Sequence, residues 1–244
     1  MELTDRIAEL LPRARTELAE LVAIRSVADA RQFPPEECAN AAHWVLDAFH
    51  EVGFEDVALH ETADGSQAVV GSRACSRPDA ATVLLYAHYD VQPPLDEAAW
   101  RTPPFVLTEV EGRWFGRGAA DCKGNIVMHL AALRALGDDV PVNLKLVVEG
   151  SEEQGTGGLE DFVPRNAGLL AADAILVCDT GNAAVGVPAV TVSLRGMVNV
   201  VVRVEALPSE LHSGMFGGPA PDALAALVAM LATLRDDEGN TTVR

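Results

Sequence analysis

The sequence is short of positive charge. Its 244 residues hold 18 Lys and Arg against 36 Asp and Glu, a formal net charge of −18. Such a chain repels phosphate backbones, which argues against a general nucleic-acid role. The acids are spread along the chain rather than gathered in a tail, so they read as solubility. Cysteine is scarce as well. Cys38, Cys75, Cys122 and Cys178 stand apart with no CxxC pair, against a disulfide framework or a four-thiolate zinc site. No apolar run has the length of a membrane span. The longest, AlaLeuAlaAlaLeuValAlaMetLeuAlaThrLeu over 223–234, lies between Asp222 and Arg235 and reads as a buried helix. The N-terminal MELTDRIAELLP carries acids where a secretory signal carries bases and an apolar stretch, so a cytoplasmic protein is expected. Internal repeats and low-complexity tracts are also missing.

What is present is a core. Hydrophobic residues make up 49% and charged residues 22%, the balance of a globular chain. Helical spacing places Ile7, Leu10, Leu11, Leu18, Leu21 and Val22 on a first helix over 4–24, with Pro12 inside it. A second helix is expected from Pro35 to Val52, stopped by Gly53. The period then changes. Residues 56–60 and 67–71 read as short strands, 81–87 as a strand buried on both faces, and 142–148 and 174–178 as further buried strands. A Pro-rich loop over 91–104, a hairpin over 105–115 and a helix over 126–136 complete the alternation. Strands interleaved with helices indicate an α/β layered fold. After Val185 long β-branched runs at 190–194 and 198–207 read as two strand segments, followed by the 222–235 helix. Two domains are therefore expected, 1–187 and 188–244.

The residues able to do chemistry sit at the ends of the expected buried strands, the edge where open α/β sheets bind ligands. His88 and Asp90 follow the 81–87 strand and lie two apart in extended chain, so they share a face. That suits a metal-binding imidazole oriented by a carboxylate, or a loop histidine beside a capping acid. GlyArgGlyAlaAlaAspCysLysGly (116–124) lacks the third glycine of a dinucleotide fingerprint, because Asp121 occupies its place. Asp121 is then a ligand or a helix cap. Glu152 and Glu153 follow the 142–148 strand in a Gly-rich loop. Adjacent like charges there call for a cation or a shared proton, unless the turn is simply solvated. They could divide the roles of metal ligand and general base. Asp179 follows the 174–178 strand. Histidine with oxygen donors from four segments suits zinc, manganese or cobalt, and a carboxylate-bridged pair of such ions is a common hydrolytic device. His43, His50, His60 and His129 read as structural or solvated. His212, in a Gly-rich loop of the second domain, is either a surface residue or one that reaches substrate.

Taken together, AlaHisTyrAspValGlnPro, GlyArgGlyAlaAlaAspCysLysGly, GluGlySerGluGluGlnGlyThrGly, CysAspThrGlyAsn, SerLeuArgGly and LeuHisSerGlyMetPheGlyGly carry a family resemblance. The chain resembles the co-catalytic metallopeptidases: carnosinases, bacterial dipeptidases, glutamate carboxypeptidase and the acetylornithine and succinyl-diaminopimelate deacylases. Asp179 and the LeuHisSerGly segment are most like the dipeptidase and carnosinase branch. The resemblance implies a mixed, largely parallel sheet flanked by helices, followed by the first half of an α+β lid and dimerisation domain. It implies that His88 binds a first metal, Asp90 orients it, Asp121 bridges two metals and Asp179 completes the first site. Glu153 would bind the second metal and Glu152 would be the general base. His212 resembles a lid histidine that crosses to a partner's active site in dimeric relatives and holds the oxyanion. A cis peptide bond between Asp121 and Cys122 is implied too. The chain ends inside what resembles the lid, and none of its remaining histidines matches the last ligand of the second metal. Cys122 departs from the polar or acidic residue common in relatives. The implied activity is hydrolysis of dipeptides or short peptides by a homodimer with two divalent ions, zinc foremost, and no nucleic acid or membrane. The alternatives are an N-acyl amino acid deacylase or a non-catalytic fragment.

Overall fold

The computed structural model describes residues 2–242. It divides into two compact units, one ending at Val190 and one beginning at Thr191. The first unit opens with helix α1, Leu3–Ala23. Its buried Ala14, Leu18, Leu21 and Val22 recur at i, i+4, i+7 and i+8, one stripe of a helix. Helix α2, Pro35–Glu51, starts on a proline whose missing N–H costs nothing there, with Glu36 and Glu37 favouring the positive helix end. Strands β1 (Ala58–Glu61), β2 (Gln67–Arg73) and β3 (Thr82–His88) follow. A short hairpin of β4 (Thr108–Val110) and β5 (Arg113–Phe115) precedes helix α3, Lys123–Leu136. Then come β6 (Asn143–Glu149), helices α4 (Gly158–Arg165) and α5 (Ala167–Leu170), and β7 (Ala174–Val177).

The main sheet has the order β1-β2-β6-β3-β7. β3 runs parallel to β6 and β7, and β2 is antiparallel to both β1 and β6. Four of the five strands thus point one way, the mixed, largely parallel sheet that the resemblance implied. Alternation along the strands separates two cores. Val69, Leu85, Ala87, Leu144, Leu146 and Val148 pack with α1, α2 and α3. Ala68, Val70, Leu84 and Val147 pack with Phe162 of α4 and Leu170 of α5. Helices on both faces explain why 81–87 and 142–148 read as unbroken apolar runs.

A buried cation ties two helices. Lys123 is fully buried at the start of α3, and its Nζ donates to the carbonyls of Leu21 (2.8 Å) and Ile24 (2.7 Å) at the end of α1. Burial pushes its pKa down to about 7, against the opposing pull of Cys38, Asp90 and Glu37.

Three sequence expectations need correction. The 174–178 strand is not buried. It forms the sheet edge, and Ile175, Leu176 and Val177 are about half exposed. The runs at 190–194 and 198–207 form no strand. β-branched residues favour an extended chain, but a strand also needs a paired neighbour, and among the described residues none pairs with them. Helix α7 (Ala223–Ala232) buries none of its residues. It is apolar on every face, and a helix of that kind is buried only where neighbours surround it. In the second unit it accompanies one short helix, α6 (Ser213–Phe216). No helix among the described residues is long and apolar enough to cross a membrane.

Gly150 is where packing leaves no room for a side chain. A Cβ there would lie 2.1 Å from the Tyr89 hydroxyl oxygen. Gly150→Ala is expected to lower stability by about 1–3 kcal/mol through overpacking. Gly168→Ala, on α5 with open space around it, should be neutral or stabilise by up to about 1 kcal/mol. Urea denaturation of both variants checks the contrast, and equal effects would refute the packing argument.

Candidate metal centre

β3 and β6 end level with each other, so His88 stands opposite Glu149 at their carboxyl ends. Tyr89 turns into the core beside Leu85 and Ala87. His88 and Asp90, on either side of it, are both fully buried and meet each other. His88 Nδ1 lies 3.1 Å from the Asp90 carbonyl and 3.3 Å from Asp90 Oδ1. Those acceptors place the ring proton on Nδ1 and free Nε2 as a donor atom for a metal. The same Asp90 carboxylate accepts the backbone N–H of Glu152 (3.2 Å) and of Glu153 (3.0 Å). One buried acid therefore sets both the imidazole and the turn after β6.

Three carboxylates from three segments surround Nε2. Asp121 Oδ1 is at 3.0 Å, Asp179 Oδ2 at 3.5 Å and Glu152 Oε2 at 3.9 Å. Asp121 leads into α3 through a cis peptide bond to Cys122, Asp179 follows β7, and Glu152 opens a single 3-10 turn ending at Gln154. From outside, the turn is braced by Asp64, which accepts from the Thr156 and Thr62 hydroxyls, while Ser66 Oγ donates to Ser151 Oγ at 3.1 Å.

The titrations follow this geometry. Burial alone would lower the His88 pKa, but hydrogen bonding to Asp179 and Asp90 outweighs it and raises it to about 12. Hydrogen bonding to His88 in turn holds Asp179 below the usual carboxylate range. Glu152 is pushed up, first by burial and then by Glu153, Asp179 and Asp90, against the opposing pull of His88. Burial also raises Glu149, partly offset by the Tyr86 hydroxyl that donates to its Oε1 at 2.7 Å. An imidazole nitrogen facing hard oxygen donors, with its other nitrogen anchored, fits a divalent ion.

The structure brings together His88, Asp90, Asp121, Glu152 and Asp179. Glu153 stands in the same turn, but its carboxylate and its carbonyl both accept from Gln92 Nε2 at 2.9 Å. His212 lies exposed in the second unit, just before α6. The other histidines interact locally: His43 Nδ1 with the Ala39 carbonyl, His129 Nε2 with that of Tyr86, and His60 edge-on to Phe162. Glu149, Gln92 and Cys122 stand at the centre and had no role in the sequence reading. Gln92 stands two residues after Asp90 within AlaHisTyrAspValGlnPro, a signal that was available. Cys122 brings its sulfur into one cluster with His88 and Asp179, the three donor atoms all within 4.8 Å of one another.

Carboxylates gathered round a histidine at the carboxyl edge of a mixed sheet form a candidate metal centre in an α/β domain. Residues 84–242 match peptidase family M20/M25/M40, and the chain belongs to that family. Among curated relatives it is 44% identical, over 83% of its length, to the cysteinylglycine-S-conjugate dipeptidase of Corynebacterium striatum. It is 34% identical, over 98% of its length, to the Cys-Gly metallodipeptidase dug1 of Schizosaccharomyces pombe. It is also similar to the solved structure of human carnosine dipeptidase 1, with 27% identity, a TM-score of 0.66 and 99% of this chain covered. The chain spans about half the length of these proteins: 45%, 54% and 53%.

Asp90→Asn is expected to weaken divalent-metal affinity about 10–100-fold, the usual cost of losing a partner that orients a ligand. Competitive titration with a chromophoric chelator measures it. Unchanged affinity would mean that His88 does not depend on Asp90 for its orientation.

Proposed function

We propose that this chain carries the metal-holding part of a dipeptidase that hydrolyses dipeptides or short peptides. The observation that carries the reading is His88 Nε2 within 3.0–3.9 Å of three carboxylates while Nδ1 is held by Asp90. The relatives' names support the substrate class: two act on Cys-Gly or its conjugates, and the human one on carnosine. His88, Asp121 and Asp179 would hold the first divalent ion, zinc in preference to manganese or cobalt. Asp121 would bridge to a second ion held by Glu153. Bound ions of this kind acidify a water and polarise a scissile carbonyl.

The chain's own groups do the rest. Asp90 orients His88 and fixes the backbone of Glu152 and Glu153. Glu152 takes a proton from water and passes it to the leaving amine, a role suited to a carboxylate whose pKa is raised. His212 of a second subunit in a homodimer would hold the oxyanion.

Two measurements test the reading. Metal titration of this chain should give one tighter ion and one weaker, because the donors at His88 are assembled while Glu153 is engaged by Gln92. Two ions of equal high affinity in a monomer would contradict that assignment. In a version extended to the length of its relatives, Glu152→Gln should lower dipeptide turnover by at least about 10²-fold with metal content nearly unchanged. Glu153→Gln should lose metal as well as rate. Near-normal turnover of Glu152→Gln with its metal in place would overturn the assignment.

A further inference from the structure

Cys122 is a potential metal donor at the centre with no role in the proposed chemistry. It is fully buried at the cap of α3. Its sulfur is not turned into the apolar core alone. Sγ accepts the side-chain N–H of Asn125 at 3.2 Å, and it shares a cluster with His88 and Asp179 in which all three donor atoms lie within 4.8 Å of one another. Donors on one tetrahedral zinc, with bonds of about 2.0–2.3 Å, stand roughly 3.5 Å apart. The three side chains would need to close by about an ångström, a movement within the reach of small χ rotations. Asn125 supplies the N–H···S contact that orients a sulfur ligand, as outer partners do at metal sites.

We propose that Cys122 is a further ligand of the first ion, adding a sulfur to the donors of His88, Asp121 and Asp179. This rests on the reading that His88 and Asp179 hold a divalent metal. On binding, the S–H bond breaks, its proton leaves to solvent and the sulfur electron pair enters the metal bond, so charge and atoms balance. A soft donor beside imidazole and carboxylate selects zinc, cadmium and cobalt over manganese and magnesium. A cysteine that merely packed would be a small hydrophobe with no such preference.

Cobalt(II) is the probe, because it reports the site and the sulfur separately. Visible ligand-field bands report occupancy, and a near-ultraviolet sulfur-to-cobalt charge-transfer band reports the bond to sulfur. The wild-type chain should show both on the first equivalent. Cys122→Ser should keep the visible bands and lose the near-ultraviolet one, while Cys178→Ser keeps both. Zinc and cadmium affinity should fall at least about tenfold in Cys122→Ser, with manganese affinity changing less. Visible bands without the charge-transfer band in the wild-type chain would overturn the proposal whether or not the variant folds. So would a charge-transfer band that survives in Cys122→Ser or vanishes in Cys178→Ser, and so would equal losses for zinc and manganese. In each of these cases the His88 metal reading still stands. Failure of cobalt to bind, or visible bands that persist in His88→Asn, would overturn that reading and the proposal together.

Discussion

The candidate centre depends on one buried carboxylate. Asp90 has no exposed surface, and a buried charge is costly unless its oxygens are paired and hydrogen-bonded. Asp90 meets that demand with the His88 ring and the amides of Glu152 and Glu153. The two bonds from the Glu152 and Glu153 amides join the segments that leave the adjacent parallel strands β3 and β6, so satisfying the charge also fixes the site. Tyr89 reinforces the link from the core side. Its N–H donates to the Glu149 carbonyl at 2.8 Å, its carbonyl accepts from Ser26 at 2.7 Å, and its ring leaves Gly150 no space for a side chain. Disturbing the core under Tyr89 would therefore move both halves of the centre.

Much of this was legible because the sheet is covered on both sides. Continuous apolar runs at 81–87 and 142–148 mark strands between two helical layers, and the acids and histidine just beyond them mark the carboxyl edge. β3 and β6 end at His88 and Glu149, where those runs stop. What failed was inference from apolarity without a partner in view. Ala174–Val177 is apolar yet lies at a sheet edge, and 190–207 is rich in valine yet unpaired among the described residues. β-propensity describes a surface that fits a neighbour, and the neighbour is not written in the segment itself. The centre has the same limit. Side chains two apart in extended chain could be matched, but the hold of Gln92 on Glu153 crosses 61 positions. The sulfur of Cys122 meets His88 only because α3 starts under the end of β3.

The electrostatic state of the centre is local and not a consequence of the chain's net charge. A formal −18 spread over the surface is screened beyond about 8–10 Å at ordinary ionic strength. At the carboxyl edge of the sheet, by contrast, Asp90, Asp121, Asp179 and Glu152 gather around one imidazole, with Glu149 beside them. The response is a set of opposed shifts. His88 is driven toward its charged form, Asp179 is kept ionised by that charge, and Glu149 and Glu152 are pushed toward holding protons. The raised values of His88, Glu149 and Glu152, the two glutamates first through burial, each reduce the negative charge gathered there. A proton on His88 supplies one unit of positive charge and occupies the very nitrogen that faces the carboxylates. A divalent ion at that nitrogen would supply two units and return the imidazole to its neutral form, with Nδ1–H still held by Asp90. It would also lower the cost of ionising Glu152, leaving that carboxylate free to accept a proton. The arrangement that looks strained as a cluster of acids is thus balanced as a donor set, and the same bonds from Asp90 serve both states.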